Sequence, residues 1–380
     1  MGKNTNTQNN NPTPTTTPTT QEKTFLEAQQ GQMSFILTEL IDISKYPICI
    51  YLASRLLKDC TTGKNIIWAT DTYAEEYPEF TATTEMTEES IKQNGRSIIQ
   101  PRVLKNIAAQ KARTKAKAEV FTPSWLCNQM NNYLDEDWFG RPNVFNKPTD
   151  KGWVTNEEPI VFDKRKTKDN PNPKRWSDYV KSTKLEVTCG EAPYLVSRYD
   201  TTTGEKIPVK DRIGLLDRKL RVIYEQVHDK SYDNKIMPFN SKVKEVQRFA
   251  TNAIDAYRST YGFEWQGDNL LLAREALLWT FIEYYQEKFH KAPLLKSINY
   301  IAYIISWNLW QMDGLKGVVP DSCRNGVMEK ELTLFGEQER LVNCPGCQQD
   351  DMRKHNGQYC LIRDWKNDKK KIRFIDLIKK

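Results

Sequence analysis

The sequence predicts an α/β fold with a parallel sheet, and three observations favour it. Strand-like and helix-like patterns alternate from Lys184 to about Met312, a rhythm typical of parallel strands that are covered by helices. A β-rich run that begins at Leu185 ends in a tight turn containing Gly190. A second strand pattern ends in Glu264, and a helix pattern follows it directly.

The composition changes along the 380 residues and predicts four regions. Residues 1–22 are mostly Asn, Thr, Pro and Gln, which bury too little apolar surface to offset the entropy of ordering, so a disordered tail is expected. Apolar residues at helical spacing from Thr24 to about Leu57 predict a helical N-terminal region over 23–95. Within it a turn is expected at 62–64 and a short strand at Asn65–Thr70. The α/β domain is expected over 96–320, with a long insertion loop at about 141–180. A small cysteine-containing region follows over 321–380.

Overall composition is that of a soluble globular protein, with 28% charged and 38% hydrophobic residues. The net charge of +7 is compatible with a polyanionic partner. The longest apolar stretch, around residues 300–310, is shorter than the roughly 20 residues of a membrane-spanning helix. The polar N-terminus does not resemble a secretion signal. Eight cysteines in a chain of this length favour a reducing cytoplasm over a disulfide framework, so we expect a cytoplasmic protein without membrane contact.

The stretch from Arg96 to Ala118 carries seven basic residues and no acidic one. One interpretation is a solvated helix face, and the other is a stripe that contacts nucleic-acid phosphates. The candidate DNA-binding residues are Lys111, Arg113, Lys115 and Lys117.

Three short segments contain the candidate ligand-binding residues. The order in which they occur along the chain is a more specific signal than any one segment. The first reads Phe-Thr-Pro at 121–123, and proline there is suited to the first position of a helix. The second runs from Glu186 through the Gly190 turn, where small residues let a ligand approach the backbone closely. The third ends in Glu264, an acid at a strand end whose carboxylate is suited to accept hydrogen bonds from ribose hydroxyls.

This ordered set resembles the amino-methyltransferases of restriction–modification systems, especially adenine-N6 enzymes and proteins commonly called restriction endonuclease subunit M. The resemblance covers about residues 117–315 and implies a site for S-adenosylmethionine. It places Phe121, Thr122 and Pro123 beside the methionine moiety and Glu264 on the ribose. The residues that match the cofactor turn are Glu186, Cys189, Gly190 and Ala192. Asp313 resembles the acid beside the adenine ring, although an acid at a helix end before a turn is an equally good interpretation.

The resemblance implies a Rossmann-like class I methyltransferase sheet and methyl transfer to adenine N6 in double-stranded DNA. The chain would be the modification subunit of a restriction–modification or phage-defence system, with a restriction or specificity subunit as a further partner. Two features depart from the family: Ala192 stands where the turn usually has its second glycine, and the Asp/Asn-Pro-Pro-Tyr/Phe motif that holds the target base is absent. No catalytic residue is therefore assigned, and the alternative is an incomplete subunit whose partner supplies that motif.

The cysteines near the C-terminus predict a structural zinc site. Cys344-Pro-Gly-Cys347 is a knuckle with a tight turn, and Cys323 and Cys360 lie on either side of it. Four thiolates, or three with His355, would give a tetrahedral set. The alternative is a group of unliganded thiols in a polar loop.

Overall fold

The fold is built around a short parallel sheet in the middle of the chain. The computed structural model describes residues 52, 54–93, 96–105, 122–162, 173–228, 239–333, 336–367 and 370–378, all within one unit over 39–380.

The helices are α1 (Ser124–Phe139), α2 (Trp176–Val180), α3 (Leu215–Gln226), α4 (Phe239–Arg258), α5 (Gly267–Phe289), α6 (Leu295–Asn308) and α7 (Pro345–Gln349). The strands are β1 (Lys92–Gln93), β2 (Arg96–Ser97), β3 (Asn146–Thr149), β4 (Gly152–Thr155), β5 (Lys184–Glu186), β6 (Thr260–Glu264), β7 (Leu309–Gln311), β8 (Val327–Thr333), β9 (Gly336–Val342), β10 (Leu361–Arg363) and β11 (Lys371–Arg373).

Strands β5, β6 and β7 pair in that order, and both pairs are parallel. Leu185 lies opposite Tyr261, and Glu264 lies opposite Gln311. Helices α3 and α4 connect the first two strands, and α5 and α6 connect the second and third. The mixed α/β class and the parallel pairing predicted from the sequence are therefore confirmed. The remaining strands of the described chain form antiparallel pairs.

Helix α5 occupies the core. Nearly every residue from Gly267 to Tyr285 is buried, as expected for a helix with apolar residues around its whole circumference. It packs on α3, α6, β6 and β7. None of the helices in the described part of the chain is both long and apolar enough to cross a membrane.

A buried arginine on α5 links the sheet to the N-terminal part of the described chain. Arg274 donates hydrogen bonds to the carbonyl oxygen of Leu309 from Nε at 2.9 Å and from Nη2 at 2.7 Å. Its Nη1 donates to the carbonyl oxygens of Leu56 and Lys58. Burial lowers the pKa of this guanidinium to about 10. Because a buried cation must be compensated by nearby dipoles, these carbonyl groups are held in place around it.

Helix α1 is attached to α3 by polar rather than apolar contacts. Arg218 of α3 is fully buried and pairs with Asp135, and it donates to the side-chain oxygens of Asn128 and Asn132, each at 2.8 Å. Tyr179 donates to the other oxygen of Asp135 at 2.8 Å. Fully satisfied buried networks of this kind fix the relative position of two helices.

Several regional predictions differ from the structure. In the region expected to be helical, residues 54–57 are helical and the turn expected at 62–64 is present. Residues 65–91 form turns and isolated bridges, with Asn65 and Ile67 in bridges where a short strand was expected. Gly63 at φ +77° and the Thr-rich run around Thr81 favour turns there. The loop expected at about 141–180 contains the β3–β4 hairpin and α2. The disordered tail expected at 1–22 lies outside the described residues.

Candidate functional sites

The three parallel strands end at one edge of the sheet and bring the predicted cofactor residues there. Glu186 is the last residue of β5, and Glu264 is the last residue of β6. Asp313 follows β7 by two residues, and the intervening Met312 donates its backbone N–H to the carbonyl oxygen of Glu264 at 3.0 Å. The carboxyl edge of a parallel sheet is the usual place for a ligand in α/β proteins.

The turn after β5 has an unusual backbone. Thr188, Gly190 and Ala192 have φ values of +47°, +53° and +61°, a region that favours glycine. The turn is anchored to β6, because Cys189 donates its N–H to the carbonyl oxygen of Phe263 at 2.8 Å. The left-handed conformation of Ala192 gives a physical reason for the glycine that the resembled family has at this position.

Glu264 connects this turn to the helix that follows β6. One carboxylate oxygen accepts the N–H of Gly190 at 2.9 Å, and the other accepts the N–H of Gln266 at 3.1 Å. The residue is only 7% exposed. Burial raises its pKa, and the two backbone N–H groups oppose that effect. The side chain therefore lies where the sequence predicted it, but part of its acceptor capacity is used within the protein.

Glu186 lies beneath the same turn. Its two carboxylate oxygens accept the backbone N–H groups of Tyr194 at 3.3 Å and Leu195 at 3.1 Å. Burial raises the pKa of Glu186 to about 8, against its ordinary value of 4.5, although these two N–H groups oppose the shift. Burial and the nearby carboxylates also raise the pKa of the Cys189 thiol.

The Phe-Thr-Pro segment lies beside the stretch that follows the turn. The carbonyl oxygen of Thr122 accepts the hydroxyl of Thr201 at 2.9 Å, and Ser124 Oγ accepts the N–H of Thr201 at 2.9 Å. Pro123 is the N-cap of α1, which begins one residue later than the sequence predicted. Phe121 lies outside the described residues, as do the predicted DNA-binding residues Lys111, Arg113, Lys115 and Lys117.

The carboxylate of Asp313 holds a turn. It accepts the N–H groups of Leu315 at 3.0 Å and Lys316 at 3.1 Å, and it pairs with the Lys316 ammonium at 3.3 Å. These contacts are those of an acid that closes a turn after a strand. Asp313 follows β7, whereas the predicted cofactor turn follows β5, so β6 lies between the strands that carry them.

A second site is formed by three cysteines and one histidine. The sulfur of Cys323 lies 3.1 Å from that of Cys344 and 3.5 Å from that of Cys347. His355 Nδ1 lies 3.5, 3.4 and 3.7 Å from the sulfurs of Cys323, Cys344 and Cys347. A zinc ion with Zn–S distances of about 2.3 Å would have S···S edges of about 3.8 Å. The two S···S distances are shorter than this, but all four ligand atoms lie within 4.8 Å of one another, a group that could hold a metal ion.

Cys360 was predicted as the fourth ligand, and that prediction is wrong. The metal-ligand group found among the described residues contains His355 in its place. Cys360 is fully buried in a core cluster with Phe263 and Trp310, and its thiol donates to the carbonyl oxygen of Gln311 at 3.3 Å. It lies directly before β10, whose packing against the sheet directs this side chain into the core.

The chain around the cluster is shaped to bring these four residues together. A Cβ atom on Gly346 would lie 2.6 Å from His355 Nδ1, so the knuckle has room only for glycine there. The N–H of Asn356 donates to the sulfur of Cys344 at 3.3 Å, and the N–H of His355 donates to the hydroxyl of Tyr359 at 2.9 Å. Outer hydrogen bonds of this kind orient metal ligands.

The close approach of the thiols shifts the pKa values of Cys344 and Cys323 in opposite directions. Burial opposes ionisation of Cys344, but hydrogen bonds from Cys323, Asn356 and Cys347 lower its pKa to about 6. Burial and the neighbouring thiols raise the pKa of Cys323 to about 12. Three thiolates this close need a positive ion between them, which is the property of a metal site.

Comparisons with known proteins give no further assignment: no family model, no curated protein and no solved structure matches the chain. The geometry of the two sites is therefore the basis for any functional proposal.

The raised pKa of Glu186 predicts a pH-dependent stability. Because its pKa is higher in the folded chain than in the unfolded chain, the stabilising effect is complete below about pH 4.5 and is lost as the pH rises to about 8. In this window Glu186→Gln should remove a slope of about 1.4 kcal/mol per pH unit from the free energy of unfolding.

Denaturant unfolding of both proteins between pH 5 and pH 8 measures this difference. Glu287→Gln is the control, because Glu287 lies in the last turn of α5 and is exposed. Equal pH slopes for the wild type and Glu186→Gln would show that the burial of Glu186 has no energetic consequence.

Proposed function

We propose that this chain is the S-adenosylmethionine-binding part of an adenine-N6 DNA methyltransferase, with a Rossmann-like class I sheet. The observation that supports it is the common edge of the three parallel strands. Glu186, the turn at 188–192 with its positive φ angles, Glu264 and Asp313 lie at or just after the carboxyl ends of these strands. The Thr122–Pro123 segment lies against the stretch that leaves the turn.

The turn would hold the amino-acid part of the cofactor. Glycine at position 190 leaves the backbone open to close approach, and the bond from Cys189 to β6 fixes its position relative to Glu264. Ala192 is fully buried, so its methyl group is covered by the surrounding protein and is not exposed on the turn.

Glu264 would bind the ribose. A carboxylate offers about four acceptor positions on its two oxygens, and the N–H groups of Gly190 and Gln266 use two. The remaining positions suit two adjacent hydroxyl groups. These two N–H bonds also keep the carboxylate oriented before the ligand arrives, which reduces the entropy cost of binding.

The transfer itself would need a positioned target base. Bound S-adenosylmethionine would supply an electrophilic methyl group for the amino nitrogen N6. The sequence contains no Asp/Asn-Pro-Pro-Tyr/Phe motif to grip that amino group. This absence favours a second candidate, a cofactor-binding subunit whose partner completes the active site.

We also propose that the Cys323–Cys344–Cys347–His355 cluster holds a structural zinc ion. Three thiolates and an imidazole leave no open position for substrate in a tetrahedral site. The ion would connect Cys323, in the segment after β7, to Cys344 and Cys347 at α7 and to His355 after α7. Its role would be to fix the small C-terminal region against the sheet.

Cofactor binding is the first expected result. Isothermal titration of the wild type with S-adenosylmethionine should show binding, and Glu264→Ala should weaken it by about 1–3 kcal/mol. Glu264→Gln keeps one acceptor oxygen and should weaken it less. Glu287→Ala, an exposed change, should bind as the wild type does. A wild-type chain that binds no cofactor would refute the proposal.

Methyl transfer separates the complete enzyme from the incomplete subunit. Tritiated methyl groups should be incorporated into unmodified DNA by this chain, either alone or with a neighbouring gene product that carries the missing motif. Incorporation by the chain alone supports the complete enzyme, and a strict need for the second protein supports the subunit. Cofactor binding without incorporation in either mixture would contradict action on DNA.

Zinc should be present at about one equivalent per chain. Cys344→Ser should lower both zinc content and melting temperature, because metal binding is coupled to folding. Cys360→Ser is the matched control and should keep its zinc, since Cys360 lies in the core away from the cluster. Metal-free protein whose melting is unchanged by chelator would make the cluster a group of plain thiols.

A further inference from the structure

A cavity of about 440 Å³ lies on one face of the parallel sheet, away from the cofactor turn. Its floor is apolar and largely aromatic, with Leu185, Tyr261, Trp310 and Phe374. The cavity reaches back to Lys181 and Ser259, which precede β5 and β6. It is therefore open toward the amino ends of the strands, whereas the predicted cofactor residues lie at their carboxyl ends.

Positive charge surrounds this floor. Four cationic side chains line the cavity, from Lys181, Arg258, Arg363 and Lys366, against two carboxylates, from Asp255 and Asp364. Both carboxylates have partners already. Asp255 pairs with Lys181 at 3.3 Å. Asp364 accepts the backbone N–H groups of residues 366 and 367.

The two arginines are held by aromatic rings more than by carboxylates. Arg258 lies 5.3 Å from the ring of Trp365 and 5.6 Å from that of Tyr300. Arg363 lies 5.1 Å from Trp365, 5.5 Å from Tyr303 and 5.5 Å from Trp307. Stacked guanidinium groups stay charged and keep a fixed orientation.

Their hydrogen-bonding capacity is not exhausted. The Nε atoms of Arg258 and Arg363 are buried and have no hydrogen-bond acceptor among the described residues. The nearest carboxylate to Arg258 is that of Asp255 at 4.0 Å. Within the described residues, no carboxylate lies within 4.0 Å of Arg363. One Nη of Arg258 donates to the Tyr300 hydroxyl, and one Nη of Arg363 donates to the Tyr303 hydroxyl. A guanidinium has five N–H donors, so each arginine keeps Nη N–H groups for an anionic ligand in the cavity.

We propose that this cavity binds a nucleotide unit of single-stranded DNA. The base would stack on the aromatic floor beside Trp365, and its phosphate would bind the guanidinium groups of Arg258 and Arg363. Planar guanidinium groups match phosphate oxygens in pairs, and aromatic surfaces bind bases of any sequence. The inference rests on the proposed action on DNA for the choice of polymer, and it adds a contact surface distinct from the basic stretch at 96–118.

Fluorescence anisotropy with a labelled oligothymidine of about 20 nucleotides tests the site. The double variant Lys181→Gln, Lys366→Gln changes two exposed rim residues and should reduce the slope of log K against log salt by about 1.4. Trp365→Leu should weaken binding at least about fivefold, because both guanidinium groups lose the ring that orients them, and Trp365→Phe should restore much of it. Lys210→Gln, at the edge of a different cavity, should bind as the wild type does.

Three competitors show whether the cavity recognises a base, a phosphate or negative charge in general. Thymidine monophosphate should compete weakly, and an abasic oligomer of equal length should compete less well than oligothymidine. Polyglutamate should not compete. Equal competition by polyglutamate would show a general site for acidic chains and would overturn the proposal. Unchanged affinity and salt slope in the double variant together with unchanged affinity in Trp365→Leu would also overturn it.

Cofactor titration of the same variants separates the two proposals. The rim and Trp365 variants should bind S-adenosylmethionine as the wild type does, because the cavity does not include the turn or Glu264. A wild type that binds oligothymidine through the cavity but no cofactor would refute the proposed function and support this site. The reverse result would refute this site alone.

Discussion

The buried guanidinium of Arg274 joins segments that are far apart in the sequence. Its bonds to Leu56, Lys58 and Leu309 hold the N-terminal part of the described chain against the start of β7. A charge in this position is tolerated only while carbonyl dipoles surround it. The place of β7 beside β6 therefore depends on this residue, and so does the edge that Glu264 and Asp313 share.

At that edge the hydrogen bonds that stabilise the fold also hold the candidate cofactor-binding residues in place. Glu264 holds the turn after β5 through Gly190 and the start of α5 through Gln266. Glu186 holds the stretch after the turn. A ligand that binds here joins an existing network of N–H and carboxylate groups, so the site is organised before binding.

The sequence predicted those features that depend on residues close together in the chain. Alternating strand and helix patterns predicted the parallel sheet, and the acids at strand ends predicted the residues at its edge. Spacing alone could not show that Cys360 points into the core while His355 faces the thiols, because this depends on how β10 packs. The hairpin within 141–180 was missed, since β3 has only one buried position and no apolar alternation. The cation-rimmed cavity was also missed. Its residues come from separate segments near 181, 258 and 363 that share no motif.

The hairpin of β8 and β9 lies between two members of the metal-binding cluster, Cys323 and Cys344. Its side chains, where described, are mostly exposed, and the strands pair only with each other. Its base is fixed by the cluster, so its register does not depend on the core. Residues added or removed in matched pairs along the two strands should therefore leave the parallel sheet undisturbed, so the hairpin is a suitable place to insert an epitope or a fluorescent reporter.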